Sequence, residues 1–392
     1  MSAPPSLLEP VELIAGTDDP NDAAVDVCAL LTETVLRGAS DLLLVAGARP
    51  TVFADGQWSA LDAPVLDGRR LEPALMALLT EERRIRLVRV RDLDFGISDG
   101  GGKRYRVNLH YQRGTLAAAF RTIPATVPAF DSLNLPPQVI DFAEFPHGLV
   151  LVTGGTGQGK STTVATMIDH LNHARAAHVI TVEDPIEFAF AHGTCTIEQR
   201  EIGDDSPDFA TALRHVLRQR PDVIVIGELR DLETISTALT AAETGHLVIA
   251  SLHTSGAVPT MARIIDAFPS EQQPQVRTQL AASLRAIACQ TLLRCHGAGL
   301  VPATEVLVAT PAVRRAIREN ETHLIASMLE TGRSQGMHSL EQSLAALVKS
   351  GIVSAEEAAS ATSEPARLGR LIGHPVPAAI SADAVMSGEE VR

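Results

Sequence analysis

The chain of 392 residues carries a formal net charge of −14, and apolar residues make up 45% of it. That length predicts two or three domains, and that composition supplies enough apolar side chains for sizeable cores. Aromatic residues make up only 3%, which argues against a single-stranded nucleic acid binder, because such proteins stack bases on aromatic rings. The acidic balance also lacks the basic footprint of a phosphate-backbone binder, so we expect no nucleic acid partner.

The cysteine spacing and the hydropathy pattern bound the cellular compartment. None of the four cysteines forms a C-x-x-C pair, so we predict neither a zinc site nor a redox site. The first ten residues lack the basic and apolar regions of a secretory signal, and no apolar run approaches the ~20 residues that span a bilayer. We therefore expect a cytoplasmic protein that is able to dock on a membrane-embedded partner.

The first third of the chain predicts a leader followed by a small α+β domain. Residues 1–20 are rich in proline, serine and acidic side chains, and we expect a flexible leader there. Residues 21–123 follow as a domain in which helical spacing alternates with short apolar runs, one of them ending in an Asp-Gly hairpin turn. We predict helices over 22–37 and 71–89 and strands over 42–45, 52–58, 91–98, 105–111 and 115–122.

A different pattern begins after a stretch with four prolines. These prolines, between residues 124 and 137, deter helix and sheet, so we predict an interdomain linker there. From residue 138 to 372, continuous apolar runs alternate with helical segments, which indicates a mainly parallel sheet covered on both faces. Residues near 311–370 read as helices, and 373–392 as a disordered tail. The predicted fold class is α/β with two domains, with strands over 149–152, 178–182, 223–226 and 247–252.

A glycine-rich loop between an apolar strand and a helix is the strongest chemical signal. The loop reads Gly154-Gly155-Thr156-Gly157-Gln158-Gly159-Lys160-Ser161, and Thr162 follows in the helix. Glycines let backbone amides turn inward around an anion, and the helix N-terminus adds partial positive charge. Lys160 is expected to reach the β- and γ-phosphates, and the Ser161 hydroxyl to ligate Mg²⁺. We therefore predict that residues 154–162 bind ATP with Mg²⁺.

Carboxylates follow two of the predicted parallel strands. Glu228 stands two residues after the strand 223–226, where it could hold Mg²⁺ through water or activate the attacking water. Glu183, Asp184 and Glu187 follow the strand 178–182. Since the carboxyl ends of parallel strands face the ligand crevice, these groups are expected near the loop, with Glu183 and Glu228 as metal ligands. The alternative is that these carboxylates are solvent-exposed groups at a strand end with no role in catalysis. The sequence leaves open whether Glu187 or Glu228 is the better base.

Two histidines bracket the predicted core strand 247–252. His246 precedes the strand and His253 follows it. A lone histidine is more often structural than catalytic, but a pair around a core strand favours a role at the nucleotide. We predict His246 as a nucleotide-binding residue and His253 as a catalytic one.

Three motifs together resemble those of the secretion ATPases of the type II/type IV pilus superfamily, most closely its pilus-retraction branch. They are the acidic segment 181–188, the Walker-B-like segment 221–231, and the long stretch 231–246. The resemblance covers residues 22–372. It implies a PAS-like N-terminal domain, a RecA-like ATPase domain and a ring homo-hexamer that acts on an inner-membrane pilus platform protein, alongside an extension ATPase or an accessory motor. It also implies that Glu187 and Glu228 are catalytic, and that His246 and His253 belong to a histidine box.

The same resemblance implies functional roles for three arginines of the first domain and for a C-terminal helix. Arg106, Arg113 and Arg121 match arginines that lean over the nucleotide in this family, and their alternative is a solvent-facing strand position. The segment 312–319 matches, with substitutions at Val313, Arg315 and Ala316, a helix needed for retraction, and its alternative is a plain surface helix. The loop departs from the family pattern at Gly155 and Gln158, and the tetracysteine zinc motif of the extension ATPases is absent. That absence favours the retraction branch.

The expected function is a hexameric motor ATPase for type IV pilus retraction, peripherally associated with the inner face of the cytoplasmic membrane. One alternative is a nucleotide-gated accessory protein that hydrolyses ATP weakly, which the loop substitutions motivate. The others are a related secretion or DNA-uptake motor and a nucleic-acid translocase, which would need a basic channel.

Overall fold

The computed structural model describes residues 25–54, 56–99, 103–124, 126–297 and 299–376. The predicted leader and residues 377–392 of the predicted tail lie outside these ranges. The chain forms two compact units, one from residues up to 126 together with 185–189, and the other from 127–184 and 190 onward. The division after Thr126 falls inside the stretch predicted as a linker, which also carries a short 3₁₀ helix, Phe130–Leu133.

In its described residues, the first unit is an antiparallel six-stranded sheet with three helices. Its strand order is β3-β2-β1-β6-β5-β4, and every neighbouring pair is antiparallel, as the short alternating runs in the sequence predict. Its core is built from apolar side chains of one sheet face and of the helices, among them Leu42, Leu71 and Phe120. In chain order the elements are α1 (Val27–Leu36), β1 (Asp41–Leu44), β2 (Thr51–Ala54), β3 (Gln57–Ala60), α2 (Gly68–Met76), α3 (Glu81–Val90), β4 (Asp92–Ser98), β5 (Arg104–Gln112) and β6 (Thr115–Thr122). The family's PAS-like description of this unit stays a prediction.

One predicted helix of this unit is wrong in its extent. Residues 71–89 form two helices, because Thr80 adopts an extended backbone with ψ of 162° and caps a new helix. Its hydroxyl accepts a hydrogen bond from the backbone N–H of Arg83, and Glu81 and Glu82 occupy the first turn of α3. A threonine followed by acidic residues is a helix-start signal. The apolar residues keep helical spacing on both sides of Thr80, so the sequence pattern predicted one helix instead of two.

The second unit contains a seven-stranded, mainly parallel sheet that is buried on both faces. The order is β13-β12-β7-β11-β10-β8-β9, with one antiparallel pair, β12 with β13. The central strands β7, β10 and β11 are buried at every position, as their continuous apolar runs predict. Its elements to the last strand are α4 (Pro137–Asp141), β7 (Gly148–Thr153), α5 (Lys160–Ala174), β8 (His178–Glu183), β9 (Thr196–Glu201), α6 (Phe209–Val216), β10 (Val223–Ile226), α7 (Leu232–Glu243), β11 (Leu247–Leu252), α8 (Ala257–Asp266), α9 (Gln273–Ser283), β12 (Leu284–Arg294) and β13 (Leu300–Val308).

Helices complete the unit, as predicted for residues near 311–370. The helices pack on β12 and β13 through an apolar cluster. It includes Leu293 of β12, Val301 of β13, and Leu344 and Ala345 of α12. Leu368 of the last helix joins the same cluster. The helices are α10 (Pro311–Arg318), α11 (Ile325–Thr331), α12 (Leu340–Lys349), α13 (Ala355–Ser360) and α14 (Pro365–Ile372). Among its strands, β9, β12 and β13 were not predicted from the sequence pattern, and α4 begins at the end of the stretch predicted as a linker.

Candidate phosphate-binding and catalytic site

The glycine-rich loop joins the end of β7 to the start of α5, as predicted. Two of its glycines are required by the backbone. Gly154 has φ of 145°, and a Cβ there would collide with the carbonyl oxygen of Gln290 on β12. Gly159 has φ of 80° and directly precedes α5. Both conformations strain any residue with a Cβ. The loop therefore turns tightly and presents its backbone to the N-terminus of a 15-residue helix, the positive end of the helix dipole.

Lys160 is held at the centre of this loop. Its side chain is only 8% exposed, and its Nζ donates to the carbonyl oxygens of Gly154 at 2.9 Å and Gly155 at 2.8 Å. The same Nζ lies 3.2 Å from Nδ1 of His253, which follows β11. The ammonium group is thus positioned by the main chain and by one imidazole rather than extended into solvent. This fixes a positive charge over the loop, where phosphate oxygens are expected.

Polar groups run from Lys160 across the carboxyl edge of the sheet, in the order of the strands. An ammonium group only donates, so Nδ1 of His253 accepts and Nε2 carries the proton. That Nε2 lies 3.3 Å from Oε1 of Glu228, which follows β10. The other oxygen, Oε2, accepts from Nε of Arg230 at 2.8 Å, and Nη1 of Arg230 lies 3.7 Å from Asp184 after β8. One chain of contacts therefore links the loop to the carboxylates of two further strands.

The backbone around Glu228 is fixed by neighbouring strands. The N–H of Gly227 donates to the carbonyl of Val182 at 2.8 Å, and the N–H of Leu229 to that of Ser251 at 3.0 Å. The Ser251 hydroxyl donates to the carbonyl of Gly227. The Glu228 side chain is 19% exposed, so one part of the carboxylate faces solvent while both oxygens have protein partners. This arrangement suits a carboxylate that must hold a small molecule in one orientation.

Two predicted site residues of this unit are not brought to the loop. His246 precedes β11, and β11 runs parallel to β7 with Leu247 opposite Gly148, so His246 lies at the amino edge of the sheet, about 20 Å from the loop by strand rise. Its Nδ1 is 3.0 Å from the carbonyl of Ala241. Glu183 ends β8, three strands from β7 and about 14 Å across the sheet. Its Oε1 accepts from Thr181 at 2.6 Å and Gln199 at 3.2 Å.

The remaining predicted site residues belong to the first unit. Glu187 lies in the segment 185–189 that groups with it. Arg106 and Arg121 face each other across β5 and β6, with Arg121 Nε 2.8 Å from Asp41 and Arg106 Nε 4.0 Å from Asp94. Arg113 instead forms the two-residue turn with Gly114 at the far end of this hairpin, with φ of 47°. It is seven positions from Arg106, about 20 Å along the strand. Two of the three arginines are thus together.

Sequence reasoning missed two side chains that shape the site, Arg230 and Gln290. Arg230 holds Glu228, and its position two residues further on in the Walker-B-like segment was a usable signal. Gln290 is 4% exposed and its Oε1 accepts from the Thr163 hydroxyl at 2.9 Å, while its Nε2 donates to the carbonyl of Gln158. The Gln158 side chain accepts from the backbone N–H of Leu292. No sequence signal pointed to Gln290, because β12 itself was not predicted.

Beneath the loop, two further groups have shifted pKa values that keep them uncharged more readily than usual. Burial, and to a smaller degree the carboxylate of Glu305, raises the pKa of the Cys289 thiol. Burial also raises the pKa of Glu305, which accepts from the N–H of Ala257 at 2.7 Å at the start of α8. A buried thiol of this kind is inert. The chemistry of the site therefore rests on the edge residues and not on this interior pair.

The donor set fits Mg²⁺ in the way that phosphate-binding loops hold it, with few protein ligands. Ser161 is exposed in the first turn of α5, and its hydroxyl is an oxygen ligand of the kind that Mg²⁺ takes together with phosphate oxygens and water. Within the described ranges, no group of three or more His, Cys, Asp or Glu side chains is arranged to hold a metal ion by itself. A magnesium ion here would thus depend on the nucleotide.

Known proteins resemble this chain over most of its length. Residues 134–360 match the family described as "Type II/IV secretion system protein". The chain is 41% identical to the type IV pilus retraction ATPase PilT of Pseudomonas aeruginosa over 334 residues, which cover 85% of this chain and 97% of that protein. It is 36% identical to the type IV pilus ATPase PilU of the same organism, covering 84% of this chain and 86% of that one.

A solved structure shows the same fold. The crystal structure of the pilus retraction motor PilT with bound ADP superposes with a TM-score of 0.84 at 43% identity, covering 88% of this chain and 99% of that one. No helix in the described ranges is both long and apolar enough to cross a membrane. The predicted fold class and family are confirmed. The chain belongs to the type II/IV secretion system protein family.

Proposed function

We propose that this protein is a motor ATPase that couples ATP hydrolysis to the retraction of a type IV pilus. The observation that carries the proposal is the contact chain Lys160–His253–Glu228 at the glycine-rich loop. It joins a phosphate-directed ammonium group to a carboxylate able to orient water. The likeness to PilT over 97% of that protein's length supports the same assignment.

The residues of the second unit divide the work of hydrolysis among them. The amides of residues 154–159 and the Lys160 ammonium group would hold the β- and γ-phosphates. Thr162, in the first turn of α5, would also bind the nucleotide. Mg²⁺ held by Ser161 would neutralise phosphate charge. Glu228 would orient or deprotonate the attacking water, and Arg230 and His253 would keep its two oxygens in place. Catalysis of this kind depends mainly on positioning and electrostatics.

Roles at the nucleotide for the remaining predicted residues stay proposals. Glu187 is the second candidate base, and Glu183 a more remote metal ligand. His246 would influence nucleotide binding only indirectly, from the opposite edge of the sheet, so its loss should change kcat little. Arg106 and Arg121 would supply positive charge as a pair, since an arginine fork suits γ-phosphate oxygens and developing charge in the transition state. Arg113 would do so from a different position.

The same proposal includes an assembly and a location. The working unit would be a homo-hexamer on the cytoplasmic face of the inner membrane, acting on the pilus platform protein. An extension ATPase or a PilU-like accessory motor would work in the same machine. We expect no nucleic acid in this assembly, because the chain is acidic overall.

Replacement of Lys160 by alanine tests the enzymatic part. Purified Lys160→Ala protein should lose more than about 99% of ATP turnover, because a central positive charge on the transferred phosphoryl group is removed. Lys349→Ala, at an exposed position in the last turn of α12, is the matched control and should turn over ATP as wild type does. Unchanged steady-state phosphate release in Lys160→Ala would refute the proposal.

A second candidate is an accessory protein of the PilU kind that binds ATP and hydrolyses it weakly. The departures of the loop at Gly155 and Gln158 favour it. Turnover of the isolated wild-type protein separates the two candidates. Phosphate release well above that of Lys160→Ala supports the motor, whereas nucleotide uptake without such release supports the accessory protein.

A further inference from the structure

The strand β12 extends past the end of its parallel neighbour β7, so among the residues that the structure describes, part of this edge has no strand partner. Pairing between them ends at Cys289 opposite Thr153. Alternate residues of a strand point their N–H groups to the same edge. The N–H groups of Leu292 and Arg294 therefore point to the side that β7 has left.

Two side chains from different parts of the chain bind these N–H groups. Oε1 of Gln158, in the phosphate loop, accepts from the N–H of Leu292. Oε1 of Glu357, in α13, accepts from the N–H of Arg294 at 3.0 Å. The phosphate loop and a C-terminal helix therefore each supply an acceptor to this edge, at two N–H groups that are two residues apart. The bond at Leu292 is part-buried, so loss of the Gln158 acceptor would leave a backbone donor with reduced access to water, whereas Glu357 competes with water at the exposed bond of Arg294.

The opposite edge of the hairpin shows the same logic. Pro302 of β13 lies opposite Leu292. A backbone N–H at this position would point away from β12, so proline, which has none, breaks no hydrogen bond between the two strands. Thr304, two residues on, donates its N–H to the Ser343 hydroxyl of α12 at 3.0 Å. The C-terminal helices are therefore tied to both strands of the hairpin, while the loop is tied to β12 alone.

Gln290 strengthens the link at the loop. Its side chain contacts the middle of the phosphate-binding segment and the helix that follows it, with Nε2 donating to the Gln158 carbonyl and Oε1 accepting from Thr163 in α5. Because Gln290 is 4% exposed and these bonds use both polar atoms of its amide, the segment between them has little freedom to shift without moving β12.

We propose that the free edge of β12 couples the phosphate loop to the C-terminal helices, with Gln158 and Glu357 as positioning residues at its two ends. Neither residue touches the phosphates through this contact. They set how tightly the loop keeps the shape that grips a nucleoside diphosphate or triphosphate. The effect on nucleotide binding rests on the proposed function, whereas the contact between the loop and the C-terminal helices through β12 does not.

The structural part is tested by hydrogen exchange without nucleotide. In Gln158→Met, which keeps side-chain length but has no acceptor oxygen, peptides spanning 290–294 should exchange faster than in wild type. Peptides from β10 and β11 should be unchanged. Equal exchange at 290–294 in wild type and variant overturns the inference, whatever the protein does with ATP.

The functional part is tested by a double-mutant cycle with a fluorescent ADP derivative and Mg²⁺. Gln158→Met should weaken binding about fivefold, which corresponds to about 1 kcal/mol, and raise KM for ATP more than it changes kcat. Glu357→Ala should weaken binding in the wild-type background but not in Gln158→Met. Glu357→Gln, which keeps an acceptor oxygen, should bind as wild type, and so should Glu356→Ala on the same helix.

The outcomes separate two kinds of failure. Independent sites have effects that multiply within about twofold, so a multiplicative result for the double variant overturns the coupling. Wild-type protein that is folded but takes up no nucleotide overturns the proposed function instead. In that case the exchange experiment still decides whether the β12 edge joins the loop to α13.

Discussion

The two edges of the seven-stranded sheet carry similar residues but differ in how those residues are bonded. At the carboxyl edge, the side chain of His253 contacts Lys160 and Glu228, and each of the three residues follows a different strand. At the amino edge, His246 bonds the carbonyl of Ala241, and Asp222 accepts from the N–H of His178 at 2.8 Å. A chain of side-chain contacts therefore begins at the phosphate loop on the first edge, whereas these bonds of His246 and Asp222 on the second edge go to the main chain.

This difference shows that residue type does not identify a site without its place on the sheet. A parallel sheet brings the ends of all its strands to one edge, where loops carry side chains that face a ligand. Polar groups at the other edge have backbone donors and acceptors to satisfy. We therefore expect changes at the carboxyl edge to alter turnover, and changes at the amino edge to alter stability.

The largest effect that tests this contrast is expected for Glu228→Gln. The amide keeps the shape of the side chain but cannot take a proton, so kcat should fall about 100-fold or more. Phosphate release at saturating ATP measures it. Glu243→Gln, at the end of α7 near the amino edge, is the matched control and should keep wild-type turnover. A Glu228→Gln protein within about twofold of wild type would break the contrast.

The two histidines that bracket β11 give the next largest difference. His253→Ala removes the group between Lys160 and Glu228, and kcat should fall about tenfold, as expected for a lost hydrogen bond to a charged partner. His246→Ala should leave kcat within about twofold. Steady-state assays of both variants at one ATP concentration above KM suffice. Equal losses in the two would mean that the edges are not functionally distinct.

A loss of stability is expected at the amino edge. Asp222→Ala removes the acceptor of the His178 N–H, and the free energy of unfolding should fall by about 1 kcal/mol with little change in turnover. Urea unfolding followed by circular dichroism measures the shift. Asp222→Asn keeps an acceptor oxygen and should retain most of the stability. A large loss of turnover in folded Asp222→Ala would count against a structural role.

The smallest effect concerns His338, beside the outer strand β13. Its Nε2 lies 2.9 Å from the Thr304 hydroxyl, and burial, more than the nearby Arg333, lowers the pKa of this imidazole. The unfolded histidine takes up its proton near pH 6.5, before the folded one does. Protonation therefore favours the unfolded chain, and stability should fall as the pH drops below about 6.5, by at most about 1.4 kcal/mol per pH unit from this group.

Replacement of the histidine isolates that contribution. His338→Gln should show a flatter dependence of the unfolding free energy on pH between about 6.5 and 5 than wild type. Unfolding titrations at several pH values give both curves. Parallel curves for the two proteins would show that His338 titrates alike in the folded and unfolded chains.

The sequence by itself determined the elements whose signals are local. Continuous apolar runs identified β7, β8, β10 and β11, and the loop at 154–161 identified itself through its glycines and its strand–helix setting. Strands β1, β4, β5 and β6 of the first unit were likewise predicted, whereas the single strand predicted over 52–58 contains β2, a turn and the start of β3. The motif at 231–246 added the family. In each case the residues that carry the signal are neighbours in the chain.

Only the tertiary structure decided which residues act together. It separated His253 from His246, because the two ends of a strand lie at opposite edges of the sheet. It also placed Arg113 away from Arg106 and brought Gln290 and Leu292 against the phosphate loop. Such contacts join residues more than 100 positions apart. They follow from strand order and register, which chain folding sets through long-range packing and which no local pattern records.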